Sequence, residues 1–174
     1  MSTTDRDEWW NSIYHVGLLI APAQLAEFFP AACPPLDDLL ATRLRRHLAR
    51  MSAGHDSMAD LLDLVLEDIL GLEAAQWQKG ASVDESWSHR LVTGEKLRPR
   101  RIWAPLHQGR LPVFVDSGDS ENLGRRFVAR VVEWLRATRL PFALLTNGRK
   151  WRLLHVGLEH EAWADWDTTT WFME

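Results

Sequence analysis

The chain has 174 residues, room for one ordinary globular domain with a sizeable hydrophobic core. Apolar residues at 46% and charged residues at 25% exclude wholesale disorder, and a net charge of −4 carries no overall nucleic-acid signature. A single cysteine, Cys33, excludes an internal disulfide and any cysteine-built zinc site, while ten tryptophans against one tyrosine is the unusual count.

The first eight residues, Met-Ser-Thr-Thr-Asp-Arg-Asp-Glu, are acidic and do not read as a secretory leader. Residues 8–29 are irregularly apolar around Pro22, which predicts two short helices or a helix and an extended piece. The longest apolar stretches, 16–23 and 61–72, are too short or too charged to span a bilayer, so a cytoplasmic, reduced protein with no membrane partner is expected. Pro35-Leu36-Asp37-Asp38 opens a helix to about Arg50, with Leu36, Leu39, Leu40, Leu44 and Leu48 as its apolar stripe. Gly54 ends it. Ser57 and Asp60 then make a helix start, and Leu61, Leu62, Val65, Leu66, Ile69 and Leu70 form a strongly periodic face up to Gly71.

Beyond Trp87 the apolar runs shorten. Residues 101–104 and 112–116 read as two strands joined by a turn around His107-Gln108-Gly109. Residues 120–138 form a long amphipathic helix, with Leu123, Phe127, Val131, Trp134 and Leu135 inward and Arg125, Arg126, Arg130 and Arg136 outward. Phe142–Leu145 is a continuous apolar strand. Asn147-Gly148 demands a tight hairpin turn, because both residues tolerate positive φ. Residues 151–156 return as its partner, 161–166 supply an edge strand, and Thr168 caps a last short helix. The expected fold class is α/β with a mixed sheet flanked by helices. Residues 1–55 form an N-terminal helical extension and 56–174 the α/β core, the two making one compact unit. Trp103, Trp134 and Trp151 fall on core elements, whereas Trp9, Trp10, Trp163, Trp166 and Trp171 are candidates for packing against other sequence.

The net charge conceals a segregation. Residues 1–96 sum to −7, residues 97–155 to +8 and residues 156–174 to −5. The basic segment can present a face to phosphates, or its arginines can pair with the acidic N-terminal half. On the outer face of the long helix Arg125, Arg126 and Arg130 fall about one turn apart, and Arg149, Lys150 and Arg152 emerge from the Asn-Gly hairpin. If both groups share a side they form a patch that tracks DNA phosphates without base readout.

Catalytic motifs are scarce. The histidines at 15, 47, 55, 89, 107, 155 and 160 show no metal-ligand spacing, and no metal site is expected from them. No phosphate-cradling GxxxxGK[ST] loop, GxGxxG turn or GxSxG nucleophile elbow occurs. Metal-assisted phosphodiester chemistry needs converging carboxylates, and the candidates are Glu67, mid-helix among apolar neighbours, Asp116 at a strand end, and Glu133 beside Trp134.

The block from Trp134 to Leu154, and within it Leu145-Thr-Asn-Gly-Arg-Lys-Trp-Arg-Leu153, resembles a recurring segment of restriction-type nuclease domains. It is similar to the N-terminal domain of large restriction-modification polypeptides: single-chain enzymes that fuse nuclease to methylase, and the adenine methylases of DISARM and BREX phage-defence systems. Residues 155–167 and Leu97-Arg-Pro-Arg-Arg-Ile-Trp103 fit the DISARM-like kind, and the resemblance covers about residues 57–174. It implies the PD-(D/E)xK core: a helix, a β-meander, a helix and another strand. Carried over, Glu67 matches the helical acid. The metal-binding aspartate after proline falls on Arg100, and the (D/E)xK element falls along Phe114-Val-Asp-Ser-Gly118, where Asp116 survives without its lysine. An arginine at a Mg²⁺-ligand position repels the metal.

The expected function is therefore a catalytically degenerate, nuclease-like domain of a DNA restriction-modification or phage-defence methylase. It contacts double-stranded DNA or docks onto the methylase regions and partner subunits. Methylation motifs do not occur in these residues, so any methylation belongs to further sequence of a longer polypeptide. No cofactor is required on this reading. One alternative is an active Mg²⁺-dependent endonuclease using Glu67, Asp116 and either Asp119 or Lys96. The other is a protein-docking module built on the tryptophans.

Overall fold

The structure, a computed structural model, describes residues 5–32, 35–54, 57–106, 109–118 and 121–172. In chain order its elements are α1 (Asp5–Ser12), β1 (Tyr14–Val16), α2 (Pro22–Phe28), α3 (Asp38–Ser52) and α4 (Met58–Asp63), which runs on as a π-helix over Leu64–Ile69. There follow β2 (Trp77–Lys79), β3 (His89–Arg90), β4 (Lys96–Leu97), β5 (Arg101–Trp103) and β6 (Leu111–Val115). The chain continues through α5 (Arg125–Thr138), β7 (Phe142–Thr146), β8 (Lys150–Val156) and β9 (Glu161–Asp167). Contacts divide these between a helical unit, Cys33–Gln76, and a sheet-bearing unit made of Met1–Ala32 and Trp77–Glu174.

The helical unit follows its capping signals. Asp37 precedes α3 and accepts the Leu39 and Leu40 amides at 3.0 and 3.2 Å. The proline-first expectation starts this helix about one turn early. Ser57 caps α4 as expected: its hydroxyl accepts the Asp60 amide at 3.2 Å and donates to the Asp60 carboxylate at 2.7 Å. Leu44, Leu61, Leu62, Leu64, Val65 and Leu66 are buried. Leu39 of the expected stripe is 69% exposed, because it lies on the first turn beyond the packed face. The second helix widens where the sequence predicts uniform α: the Leu70 amide reaches back to the Val65 carbonyl at 3.0 Å. Gly71, at φ 66°, ends it.

The sheet-bearing unit is α/β, with a mixed seven-stranded sheet in the order β1-β9-β8-β7-β6-β5-β2. Every neighbouring pair is antiparallel except β6 and β7, which are parallel and joined through α5. Helix α5 packs on one face. Its Val131, Val132, Trp134 and Leu135 meet Phe114, Ala143, Leu145, Leu154 and Val156 of the central strands. Trp134 is fully buried, meets Phe114 edge-on with ring centroids 5.1 Å apart, and donates its indole N–H to the Trp87 carbonyl at 2.9 Å. The β3–β4 hairpin, not foreseen from the sequence, adds Leu91 and Leu97 to this core. Glu133, which breaks the apolar stripe of α5, accepts the Val92 amide of that hairpin.

Three local expectations change. Residues 8–29 hold short helices and also an extended piece, and that piece, β1, departs from the helical extension expected for residues 1–55 by pairing antiparallel with β9 at the sheet edge. Gly17 permits this, because a Cβ there would lie 3.0 Å from both Ala162 Cβ and the Glu161 carbonyl oxygen. The Asn147-Gly148 turn is a three-residue loop between Thr146 and Lys150, with positive φ at Gly148 (90°) and not at Asn147. The Asn147 side chain instead accepts the Arg149 and Lys150 amides at 3.1 and 2.7 Å. Residues 168–172 form turns in place of a capped helix. Of the outlying tryptophans, Trp171 packs on Trp151 of its own unit, and Trp9 lies against Trp10 and Phe29.

Candidate nucleic-acid interface

In open α/β sheets ligands gather outside the carboxyl ends of parallel strands, next to the crossover helix. Here that place is the end of β6 and β7 and the start of α5. The register brings several charged residues to it. Because β5 runs antiparallel to β6, its start lies beside the end of β6: Arg101 faces Val113, and the Arg100 amide donates to the Val113 carbonyl at 2.8 Å. The Gly80 amide donates to the Arg100 carbonyl at 2.9 Å, so the end of β2 is there too. Arg149 and Lys150 sit where β8 leaves the loop after β7, and Asp167 ends β9 opposite Lys150. Arg125 and Arg126 form the first turn of α5, both exposed. This turn has no acid and its N-cap, Gly124, supplies no side-chain cap, the reverse of the usual charge arrangement at a helix start.

Asp116 has a defined place at this end. Its amide donates to the Thr146 carbonyl at 2.8 Å, its Oδ1 accepts the Gly118 amide at 3.2 Å and its Oδ2 accepts the Gly124 amide at 2.8 Å. Glu67 lies half-buried on the π-helix of the helical unit. Asp119 is outside the described residues. Lys96 pairs with Glu85 at 3.4 Å, and Arg98 with the same carboxylate at 3.2 Å.

The expected phosphate-tracking residues divide into two groups. Arg130, Arg149, Lys150 and Arg152 are held by carboxylates. Arg130 meets Glu95 at 2.6 Å. Arg149 meets Glu121 at 3.0 Å and Asp167 at 3.8 Å. Lys150 reaches Asp167 at 2.7 Å. Arg152 Nε and Nη2 donate to the two oxygens of Asp165, both at 2.6 Å, with the guanidinium 5.0 Å above the Trp163 ring. Arg125 and Arg126 have no ion-pair partner among the described residues. Within this unit arginines meet Glu161, Asp165 and Asp167 near the end of the chain, Glu121 just before α5, and Glu85 and Glu95 of the acidic N-terminal half. Part of that pairing was readable in principle. Alternation along β8 and β9 sets Lys150 opposite Asp167 and Arg152 opposite Asp165.

Burial works to raise the Asp167 pKa, but hydrogen bonds from Lys150 and Thr169 and the lysine charge outweigh it and bring the group down to about 2. His155, whose ring lies tilted against those of Phe142 and His160, has its pKa lowered by burial and then by the neighbouring imidazole.

A divalent cation wants two or three converging oxygen ligands. Among the described residues no three His, Cys, Asp or Glu side chains gather. Both Asp116 oxygens are taken by backbone amides, Asp167 is taken by Lys150 and Thr169, and residue 100 is an arginine. Among the described residues this end therefore presents the exposed Arg125 and Arg126, and the carboxylate oxygens of Asp116 and Asp167 are all engaged.

No family model matches the chain, and neither a curated protein nor a solved structure matches it. No described helix is long and apolar enough to cross a membrane.

Proposed function

We propose that the chain is a nuclease-like domain of a restriction-modification or phage-defence methylase, with an eroded cutting site, that contacts the DNA backbone. The observation that carries this reading is the order along the chain: a helix, the antiparallel strands β2, β5 and β6, the crossover helix α5, and β7 parallel to β6. A restriction-endonuclease-like core has this order. In such a core the cutting residues lie at the start of the second strand and along the third. Here those places hold Arg100 and the segment ending in Asp116, side by side at one end of the sheet.

Erosion is the better reading of that end because an arginine replaces one ligand and backbone amides occupy the other. Phosphate contact is supported by the two exposed guanidiniums of Arg125 and Arg126 at the same end. With Arg149, Lys150 and Arg152 engaged by carboxylates, the contact is narrow and supplies orientation more than affinity. The rest of the affinity then belongs to the partner methylase regions.

The test is a titration of fluorescent duplex DNA at stepped salt, with and without Mg²⁺. Weak binding that falls with salt, and no strand scission, is the expected result. Scission in Mg²⁺ that disappears in Asp116→Ala would establish the active endonuclease instead. Binding that is indifferent to salt would favour the docking module.

A further inference from the structure

We propose that Asp116 is a positioning residue: it holds Arg125 and Arg126 at the sheet end through the backbone of Gly118 and Gly124, and does not itself meet the ligand. The inference rests on reading that end as a phosphate contact.

The geometry assigns the carboxylate one mechanical task. Gly124 is the residue before α5 and has no side chain to cap the helix, so the cap contact comes from Asp116 Oδ2, which accepts the Gly124 amide at 2.8 Å. The second oxygen accepts the Gly118 amide at 3.2 Å and so fixes the exit of the loop that leaves β6. Both glycines lie against the carboxylate. A Cβ at Gly124 would be 3.3 Å from Oδ2, and one at Gly118 would be 3.4 Å from Oδ1. Arg125 and Arg126 follow Gly124 directly, so the direction in which α5 starts sets where their guanidiniums stand.

The same hub reaches the hairpin. The Asp116 amide donates to the Thr146 carbonyl at 2.8 Å. The fully buried Thr146 hydroxyl accepts the Gly148 amide at 2.9 Å and donates to the Lys150 carbonyl at 2.8 Å. The ends of β6 and β7, the start of β8 and the start of α5 are thus fixed together.

Charge alone and positioning have opposite consequences. A carboxylate that merely stands near two arginines weakens their attraction for phosphate, so removing it tightens binding. A carboxylate that places those arginines does the reverse, and its removal weakens binding although the surface becomes more positive.

The measurement is anisotropy of a fluorescent DNA duplex at low salt with the wild-type chain, Asp116→Asn, Asp116→Ala, Arg125→Ala/Arg126→Ala and the triple variant. Asp116→Ala is expected to bind on the order of tenfold more weakly, the effect of forfeiting about one contact of ordinary strength. Asp116→Asn, which keeps one acceptor oxygen, is expected to lie between. Adding Asp116→Ala to the double arginine variant is expected to change little. If Asp116→Ala binds as tightly as wild type or more tightly, the inference is wrong while the functional reading stands. If the wild-type chain does not bind the duplex at low salt, both fall. Should Asp116→Ala not fold, Asp116→Asn decides by the same sign, together with hydrogen exchange at the Gly124 amide. Faster exchange supports the latch, and unchanged exchange overturns it.

Discussion

Arg152 and Asp165 stand directly opposite each other on β8 and β9 and share two hydrogen bonds of 2.6 Å, with both side chains less than one-fifth exposed and Trp163 beneath the guanidinium. Such a pair is committed to the fold, because removing one member leaves the other desolvated and alone. Arg152→Ala is expected to cost about 3 kcal/mol in a urea melt. Replacing both residues by methionine and leucine is expected to cost much less. Equal losses for the single and the double variant would show that the pair is not coupled.

Trp134 anchors the core. Its ring is fully buried against Phe114 and its N–H holds the Trp87 carbonyl. Trp134→Ala removes both and is expected to destabilise the protein by about 3–5 kcal/mol. Trp134→Phe should recover most of the packing but leave the Trp87 carbonyl without its donor. Thermal melts of the three proteins rank the two contributions.

Acid stability depends on Asp167. Its folded pKa of about 2 lies below the ordinary value of 3.8, so its contribution is fully present above the ordinary value. That contribution is lost as pH falls from about 4 toward 2, because the unfolded chain takes up the proton first. Asp167→Asn is expected to lower stability at neutral pH and to flatten the pH profile over this window. An unchanged slope between about pH 4 and 2 would contradict the assignment.

The loop between β7 and β8 relies on one glycine. Gly148 adopts φ 90° and is buried, so Gly148→Ala is expected to cost about 1–2 kcal/mol. Asn147→Ala removes the acceptor for two amides and is expected to cost less, because water can reach those amides once the side chain is gone. A melt that shifts for Asn147→Ala but not for Gly148→Ala would reverse that ranking.

Much of the sheet was legible because its signals are local. The continuous apolar run of β7, the Asn-Gly pair and the short apolar runs after it mark β7, β8 and β9, and an apolar stripe interrupted only by Glu133 marks α5. What escaped depends on contacts distant in sequence. The β3–β4 hairpin has only two residues per strand, too few for a periodic signal, and is held by Leu91, Leu97 and the reach of Glu133. Strand β1 is set by its pairing with the last strand of the chain, which local composition does not encode. At the candidate interface the basic residues are visible in the sequence and strand register supplies Asp167 and Asp165 as partners of Lys150 and Arg152, but the partners that come from distant segments are not visible. Glu95 reaches Arg130 from the unforeseen hairpin, and Glu121 reaches Arg149 across a loop. In the sequence Asp116 stands out only by its charge, whereas its contacts with the Gly118 and Gly124 amides are disclosed by the fold.

On the proposed function Arg125 and Arg126, and not the ion-paired hairpin, meet the phosphates. The salt dependence of duplex binding tests this most directly, since each phosphate contact adds about 0.9 to the slope of log affinity against log salt. Arg125→Ala/Arg126→Ala is expected to reduce the slope by about 2, while Arg149→Ala/Lys150→Ala leaves it nearly unchanged. A slope that survives loss of the helix arginines and collapses with the hairpin pair would contradict the proposal.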